Sequence, residues 1–257
     1  MTSSVVYFDS EYAEECAQFC ATRYISSLPD ISQSGLYHKY NRETEEFTRT
    51  EIPPEQIVHP MEDIFQHGMV EKFQTYELLF VMEHGSLLGV VHFSDYNRPE
   101  VYEEVYQKLY KLERGLIFLI VEYAEKKRED LIEFAQGKPA RKDLELAVTR
   151  RDFSIFKMTL KEIMAFSSAI ELLNINAPEK ITLLRNRIAH SEDLVRREDY
   201  RADPFQYHYK SFDQLVTGKL AIEKALKQVS NRLYFMQAVL DEDFTLRTDK
   251  VFDRAFQ

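Results

Sequence analysis

A long helical pattern, from Glu100 to about Gln136, restricts the fold of this chain more than any other stretch. Apolar residues recur in it every three or four positions, which is the spacing of one helix face. These residues are Val101, Val105, Leu109, Leu112, Leu116, Ile120 and Tyr123. Gly137 and Pro139 follow, and both residue types are typical of helix ends. At 1.5 Å per residue the helix would be roughly 50 Å long, and its aliphatic middle is typical of the core of a helical bundle.

Further helical patterns follow this one towards the end of the chain. One runs from about Asp152 to Leu173, another is opened by Pro178, and the last runs from about Phe212 to Leu240. The stretch Arg196–Ser211 between the last two is polar and aromatic and contains Pro204, so an irregular loop is predicted there. The second part of the chain is therefore predicted to be a mostly antiparallel helical bundle.

The first part of the chain instead mixes helical and strand patterns. Glu11–Ala21 has helical spacing, whereas Leu78–Met82 and Leu87–Phe93 are apolar runs on either side of a turn that contains Gly85. The two runs predict a β-hairpin. Arg42–Thr50 is highly charged and predicts a loop or a hairpin tip.

The tripeptide Asn97-Arg98-Pro99 is the predicted boundary between these two parts, because proline breaks one pattern and commonly opens the next helix. We therefore expect an α+β protein with two domains. Residues 1–97 would form an α/β module, and residues 98–257 would form a helical domain.

Length and composition describe a globular chain. Its 257 residues are 44% hydrophobic and 30% charged, which allows one large domain or two modest ones with a real core. No signal peptide is visible at the N-terminus, and the longest apolar run, Leu116–Val121, is far too short to span a bilayer. Cys16 and Cys20 stand four apart in a helical pattern, which favours two buried thiols over a disulfide. A reducing cytoplasm is the expected location, with no membrane partner.

The net charge of −10 is distributed unevenly. Residues 1–100 hold 6 Lys and Arg against 17 Asp and Glu, whereas residues 101–257 hold 27 against 26. The acidity is therefore confined to the first part of the chain. The stretch Lys138–Lys161 has a local excess of basic residues, which could receive phosphates or could be a solvated loop and helix start.

The helix opened by Pro178 carries the most informative residues. At about 100° per residue, Ile181, Leu184 and Ile188 share one face. Asn186 and His190 share another face, alongside Leu183 and roughly opposite the first, and Arg185 lies between the two. A face open to solvent would usually carry Lys and Glu. This face carries Leu, Asn and His instead, which suits a second packing surface. A two-fold dimer would bring two copies of this surface together.

These residue types suit cleavage of a phosphodiester. The imidazole of His190 could move a proton during attack by a ribose 2′-hydroxyl. The guanidinium of Arg185 could hold phosphate oxygens and the charge that builds in the transition state, and Asn186 could orient either partner. The alternative is that Arg185 pairs with a surface acid and that His190 is a satisfied interface histidine.

The arrangement Arg185-Asn186 followed by His190, in the sequence LRNRIAHS, resembles the signature of the HEPN family (higher eukaryote and prokaryote nucleotide-binding helical domains). The resemblance implies a helical bundle over roughly residues 100–240. It also implies a homodimeric endoribonuclease that cleaves RNA without a metal or cofactor and leaves a 2′,3′-cyclic phosphate. The family suggests a toxin or an antiviral defence effector, with an antitoxin as a candidate partner. Some relatives keep the fold without the nuclease, so a dimeric binding or adaptor protein is the alternative.

Arginines around the motif are candidates for binding RNA. Arg150 and Arg151 lie in the basic stretch, Arg187 lies within the motif, and Arg196 and Arg197 follow it. The stretch after the motif is also rich in tyrosine, which could stack on bases or could cover the end of the bundle.

Leu79–Asn97 resembles the second half of a CBS domain, with a strand, a glycine turn, a strand that contains Gly-Val-Val and a helix start at Asp95. Tyr24–Ile31 is similar to the strand that enters a CBS site, so residues 1–97 could form a compact CBS-like pair. The resemblance implies an adenine nucleotide as a regulatory ligand, bound near His92 and Asp95. The chain departs from the pattern, because His92 stands where CBS domains commonly have Thr or Ser. The alternatives are an Asp95 that only caps a helix and a module that serves as a dimerisation platform.

Other catalytic signatures are missing from the sequence. It contains no Walker-type loop, nucleophile elbow or Rossmann fingerprint. His84 and His92 lie on the predicted hairpin, but no third ligand accompanies them at a metal-binding spacing. No metal site is therefore predicted.

Overall fold

A computed structural model gives a mixed α+β protein with two small sheets, which confirms the predicted class. The described residues are 5–23, 25–76, 78–124, 130, 132–134, 137, 141–143, 155–195 and 204–240. The chain divides into two compact units. The first unit comprises Met1–Arg98 and Val195–Val216, and the second comprises Pro99–Leu194 and Thr217–Gln257.

The first unit begins with a 3-10 turn, Ser10–Tyr12, and helix α1, Ala13–Arg23. A three-stranded antiparallel sheet follows, in the order β1-β2-β3. Its strands are β1, Ser27–Pro29; β2, Leu36–Asn41; and β3, Glu46–Glu51. Cys16 and Cys20 of α1 are buried as free thiols among Leu28 and Tyr40 of this sheet, so the predicted burial of both cysteines is confirmed.

The second sheet of this unit has the order β4-β5-β6. Its elements are the 3-10 turn Pro54–Gln56; β4, Ile57–Val58; helix α2, His67–Thr75; β5, Leu78–Glu83; and β6, Ser86–His92. Strand β4 is parallel to β5, and β5 is antiparallel to β6. His84 and Gly85 form the tight turn between β5 and β6, with positive φ angles of 50° and 78°. The predicted hairpin is therefore confirmed.

Two predictions of local structure were wrong in part. Of the predicted loop or hairpin tip Arg42–Thr50, residues 42–45 form the turn between β2 and β3, but the rest lies in β3, because an edge strand with mostly exposed side chains can be as charged as a loop. The predicted loop Arg196–Ser211 contains the start of helix α6, Pro204–Leu240. Proline fits the first turn of a helix, where its missing N–H has no partner to lose.

The second unit is helical in the residues that the structure describes. Its elements are α3, Pro99–Ala124; the 3-10 turn Ile155–Lys157; α4, Leu160–Ala169; α5, Pro178–Ala189; and the later part of α6. The predicted apolar stripe of α3 is buried from Val101 to Ile120, with at most 4% exposure at each position. Helices α3, α4 and α5 pack against one another. A Cβ atom added to Gly218 of α6 would lie 2.6 Å from a methyl group of Leu184, so a glycine allows α6 to approach α5 closely.

None of the described helices is long and apolar enough to cross a membrane.

A network of four charged side chains joins α3 to α6 within this unit. Lys219 is only 3% exposed, and its Nζ lies 3.0 Å from Glu223 Oε1 and 3.4 Å from Glu104 Oε1. Lys108 Nζ lies 2.6 Å from the same oxygen of Glu223. Burial raises the pKa of Glu223, but the hydrogen bonds and charges of the two lysines outweigh burial and hold this pKa below its ordinary value.

This network predicts a loss of stability in acid. Because the pKa of Glu223 is lower in the folded chain, its contribution is present above the ordinary value of 4.5 and is lost as the pH falls through the folded value. The free energy of unfolding at pH 7 should be higher for wild type than for Glu223→Gln by on the order of 1 kcal/mol, after allowance for solvent screening. Thermal unfolding across the acid range measures this difference. Glu122→Gln is the matched control, because Glu122 is exposed; a pH profile of Glu223→Gln that parallels wild type would contradict the prediction.

Candidate functional site

Helix α5 holds the candidate catalytic residues. It begins at Pro178, and its buried face contains Ile181 and Leu184, both with 0% exposure. Ile188, predicted on the same face, is half-buried. The helix ends at Ala189, so His190 is its C-cap residue. His190 donates its backbone N–H to the Asn186 carbonyl at 3.0 Å.

The other face of α5 is open to solvent in the single chain. Leu183 is 37% exposed, Asn186 and His190 are exposed, and Arg185 is half-buried. The structure therefore brings Asn186 and His190 together beside an exposed leucine, and it leaves the imidazole accessible. An accessible imidazole can accept or donate a proton near neutral pH. An arginine at the edge of the same face can hold an anion.

Arg187 is placed differently from its neighbours. Its side chain is only 6% exposed, and its Nη1 donates to the Leu194 carbonyl at 2.9 Å. The predicted contact with RNA does not fit this placement, because a buried guanidinium that holds the backbone cannot also reach a phosphate in solvent. The spacing contained a signal for burial, since Arg187 lies three residues after Leu184 and six after Ile181.

The segment that follows His190 is fastened at several points. Ser191 has a positive φ of 52° and turns the chain back, and Glu192 donates its N–H to the Arg187 carbonyl at 2.8 Å. Tyr102 of α3 donates its hydroxyl to the Glu192 carbonyl at 2.6 Å. Burial, and then the Asp193 carboxylate, raise the pKa of Tyr102, so the phenol stays a donor at neutral pH. The backbone of His190 is thus fixed while its ring is exposed.

We expect Arg185 and Arg187 to differ sharply in their effect on stability. Arg187→Ala leaves the buried Leu194 carbonyl without this donor and should cost about 2–3 kcal/mol. Arg185→Ala, the matched control on the same helix, should cost less than about 0.5 kcal/mol. Urea unfolding followed by circular dichroism measures both free energies. Equal losses in the two variants would show that the Arg187 contact does not stabilise the segment.

The remaining candidate arginines cannot be placed relative to the site. Arg150, Arg151, Arg196 and Arg197 lie outside the described residues. Arg141, in the same basic stretch, contacts Asp143 through Nε and Nη2, each at 2.9 Å. Its Nη1 contacts Glu162 at 2.7 Å, so Arg141 is used to hold the start of α4.

A cavity of about 590 Å³ lies in the first unit. Residues from Tyr24–Ile31 and from Leu79–Asn97 line it, including Ser27–Pro29 of β1, His92 at the end of β6, and Asp95 just after it. Val6, Phe19 and Ile25 give it an apolar side, and Arg23 and Arg98 add two cations. Its size and mixed lining suit a small organic anion.

Asp95 is the most constrained of these residues. It is 9% exposed, and its Oδ2 accepts the backbone N–H of His92 at 2.8 Å. His92 is the N-cap residue of the 3-10 helix Phe93–Asn97, so Asp95 takes part in the cap from the third helical position. Asp95 Oδ1 also pairs with Arg98 Nη2 at 2.9 Å. Arg98 was not among the candidate residues, although its i,i+3 spacing from Asp95 could have indicated it.

Comparisons with protein-family models, with curated proteins and with solved structures found no match. Among the described residues, no group of three or more His, Cys, Asp and Glu side chains is arranged to hold a metal ion.

Proposed function

We propose that the chain is a metal-independent endoribonuclease of the HEPN type, with Arg185, Asn186 and His190 as its catalytic residues. The observation that carries the proposal is the exposed imidazole of His190 on a backbone fixed by Tyr102 and Arg187. Catalytic groups are held by packed neighbours while their reactive atoms stay accessible.

The proposed reaction uses only the atoms of RNA. The ribose 2′-oxygen attacks the adjacent phosphorus, the bond from phosphorus to the 5′-oxygen breaks, and a 2′,3′-cyclic phosphate and a 5′-hydroxyl result. One imidazole accepts the proton of the 2′-hydroxyl, and a protonated imidazole donates a proton to the leaving 5′-oxygen. Arg185 neutralises the charge that builds on the phosphate oxygens.

Two imidazoles require two subunits in this scheme. Leu183, Asn186 and His190 share the exposed face of α5, and a two-fold axis at this face would bring the two copies of it together. Each chain would contribute one His190 and one Arg185 to a common cleft.

Cleavage of labelled RNA in the presence of EDTA tests this proposal. We expect His190→Ala to cut at least about 100-fold more slowly than wild type, because it lacks the acid and base. His59→Ala is the matched control, since His59 is 55% exposed and lies in the first unit. The products should carry cyclic phosphate ends. Equal cleavage by wild type and His190→Ala, or no cleavage with or without an adenine nucleotide, would refute the assignment.

Mixed dimers test the shared cleft separately. Mixing His190→Ala chains in excess into wild type should lower the cleavage rate by more than the wild-type fraction predicts, because a mixed dimer keeps only one of the two imidazoles that the scheme needs. A rate that falls only in proportion to the fraction of wild-type chains, although subunits exchange, would contradict a composite site.

The alternative function is a non-catalytic dimeric binding or adaptor protein. The exposure of Leu183 supports it equally, because an adaptor also needs an apolar contact surface. A dimer in which His190 is sealed from solvent, together with the absence of RNA cleavage, would favour this alternative.

The cavity of the first unit supports a regulatory role for an adenine nucleotide, as a CBS-like module would imply. A nucleoside needs an apolar side for its base and a carboxylate for its ribose hydroxyls, and its phosphates need a cation. The cavity lining offers Ile25 for the base and Arg23 for the phosphates, and Asp95 would accept from the ribose hydroxyls in addition to its present contacts with His92 and Arg98. A toxin or defence effector controlled by such a ligand would stay inactive until the concentration of the ligand or of an antitoxin changed.

Ligand binding predicts a rise in thermal stability. A nucleotide at 100 times its Kd should stabilise the first unit by about 2.7 kcal/mol. Differential scanning fluorimetry with ATP, ADP and AMP measures the shift. Arg23→Gln should reduce the shift without loss of the fold, because Arg23 is exposed. Arg42→Gln is the matched control, since Arg42 is exposed outside the cavity lining. The absence of a shift with all three nucleotides would rule out this class of ligand.

A further inference from the structure

Helix α3 carries a row of aromatic and cationic side chains opposite its buried stripe. Tyr106, Tyr110 and Arg114 are spaced four residues apart, so they lie along one side of the helix. The rings of Tyr106 and Tyr110 are stacked, with centroids 6.3 Å apart and an interplanar angle of 23°. The guanidinium carbon of Arg114 lies 5.3 Å from the Tyr110 ring centroid and 5.6 Å from that of Phe156. We call these four side chains the stacking row.

The stacking row is open to solvent at both of its ends. Tyr106 is 55% exposed and Phe156 is 62% exposed. Large aromatic side chains usually bury most of their surface, so two at one surface mark a contact site for another molecule. The occupant must suit flat rings that alternate with a guanidinium group.

We propose that the stacking row binds single-stranded RNA. The inference rests on the proposed nuclease function and names the class of its substrate. Every base has a flat π-face, and unpaired bases stack on Tyr and Phe rings and on the plane of an arginine. A duplex keeps its bases stacked inside the helix and cannot offer these faces.

The charges beside the stacking row suit a phosphate backbone. Lys111 is exposed one residue after Tyr110, and Lys157 is exposed directly after Phe156. The acids on this part of α3 are Glu103, which accepts a hydrogen bond from Gln107 at 3.1 Å, the half-buried Glu113, and Glu104, which belongs to the network with Lys108, Lys219 and Glu223. That network has two charges of each sign, so Lys111, Arg114 and Lys157 against Glu103 and Glu113 leave one net positive charge beside the row, which favours an anionic ligand.

The stacking row begins one helical turn from a residue that contacts the segment after the motif. Tyr102 lies one helical turn before Tyr106, which is a rise of roughly 6 Å along α3. The hydroxyl of Tyr102 contacts the Glu192 carbonyl, two residues after His190. The row thus runs along α3 from a point that is fastened to the motif segment. A strand stacked on it would have one end on the side of α3 that contacts the segment after His190.

Binding in a cleavage-deficient background tests the inference without relying on catalysis. A fluorescein-labelled single-stranded 12-mer RNA is titrated with His190→Ala protein, and the Kd is read from fluorescence anisotropy. Adding Tyr106→Ala or Phe156→Ala should weaken binding about tenfold each, because each variant removes one stacking surface. Tyr106→Phe keeps the ring and should stay within about twofold of its parent. Tyr234→Ala is the matched control, since Tyr234 is 54% exposed on α6 and should leave the Kd unchanged.

Several outcomes would overturn the inference. The first is that the 12-mer does not bind. The second is that Tyr106→Ala and Phe156→Ala have the same Kd as their parent. The third is that a duplex of the same sequence binds as tightly as the single strand, or more tightly. If Tyr106→Ala lowers the mass measured by analytical ultracentrifugation and leaves the Kd unchanged, the row is a protein interface instead. Circular dichroism confirms that each variant is folded, and Tyr106→Phe separates loss of the ring from loss of structure.

Failure of this inference is distinguishable from failure of the nuclease proposal. If wild type cleaves RNA through His190 but both alanine variants keep the parental Kd, the nuclease stands and the stacking row does not bind its substrate. If the row variants weaken binding but wild type cuts no RNA, the row stands and the catalytic assignment fails.

Discussion

The apolar stripe of α3 is the contact on which the second unit depends. Leu112, Leu116 and Ile120 have no exposed surface, and α3 packs against both α4 and α5. Because burial of this stripe sets the rotation of α3 about its own axis, it also determines which side chains point elsewhere. Tyr102 is thereby held against the segment after the motif, and Tyr106 is left at the surface.

Helix α5 places buried supporting residues and the proposed catalytic residues within a few positions of each other. Leu184 and Arg187 lie on the buried side, where one packs and the other holds the Leu194 carbonyl. Asn186 and His190 lie on the exposed side. A buried arginine stabilises the fold by donating a hydrogen bond to a carbonyl, whereas an exposed arginine is available to a ligand. Residue type alone does not distinguish these two uses.

Periodicity predicted the parts of the fold in which burial dominates. The stripe of α3 and the β5–β6 hairpin follow from apolar spacing, and the shared face of Asn186 and His190 follows from the helix that carries them. Strand β3 was missed because its stability comes from backbone pairing with β2, which leaves its side chains exposed and polar. The buried contact of Arg187 depends on the path of the chain after α5, which brings the Leu194 carbonyl back to this side chain. The Tyr102 contact joins residues 90 positions apart, so local spacing could not indicate it.

The two sides of α3 place a limit on how this helix can change in length. Insertion of a single residue between Tyr102 and Tyr106 would turn everything beyond it by about 100°. If the apolar stripe beyond the insertion then stayed buried, Tyr102 would turn away from the Glu192 carbonyl, because the same helical register sets both contacts. Surface loops absorb insertions and deletions readily, but this stretch of α3 can change only by substitution at fixed positions.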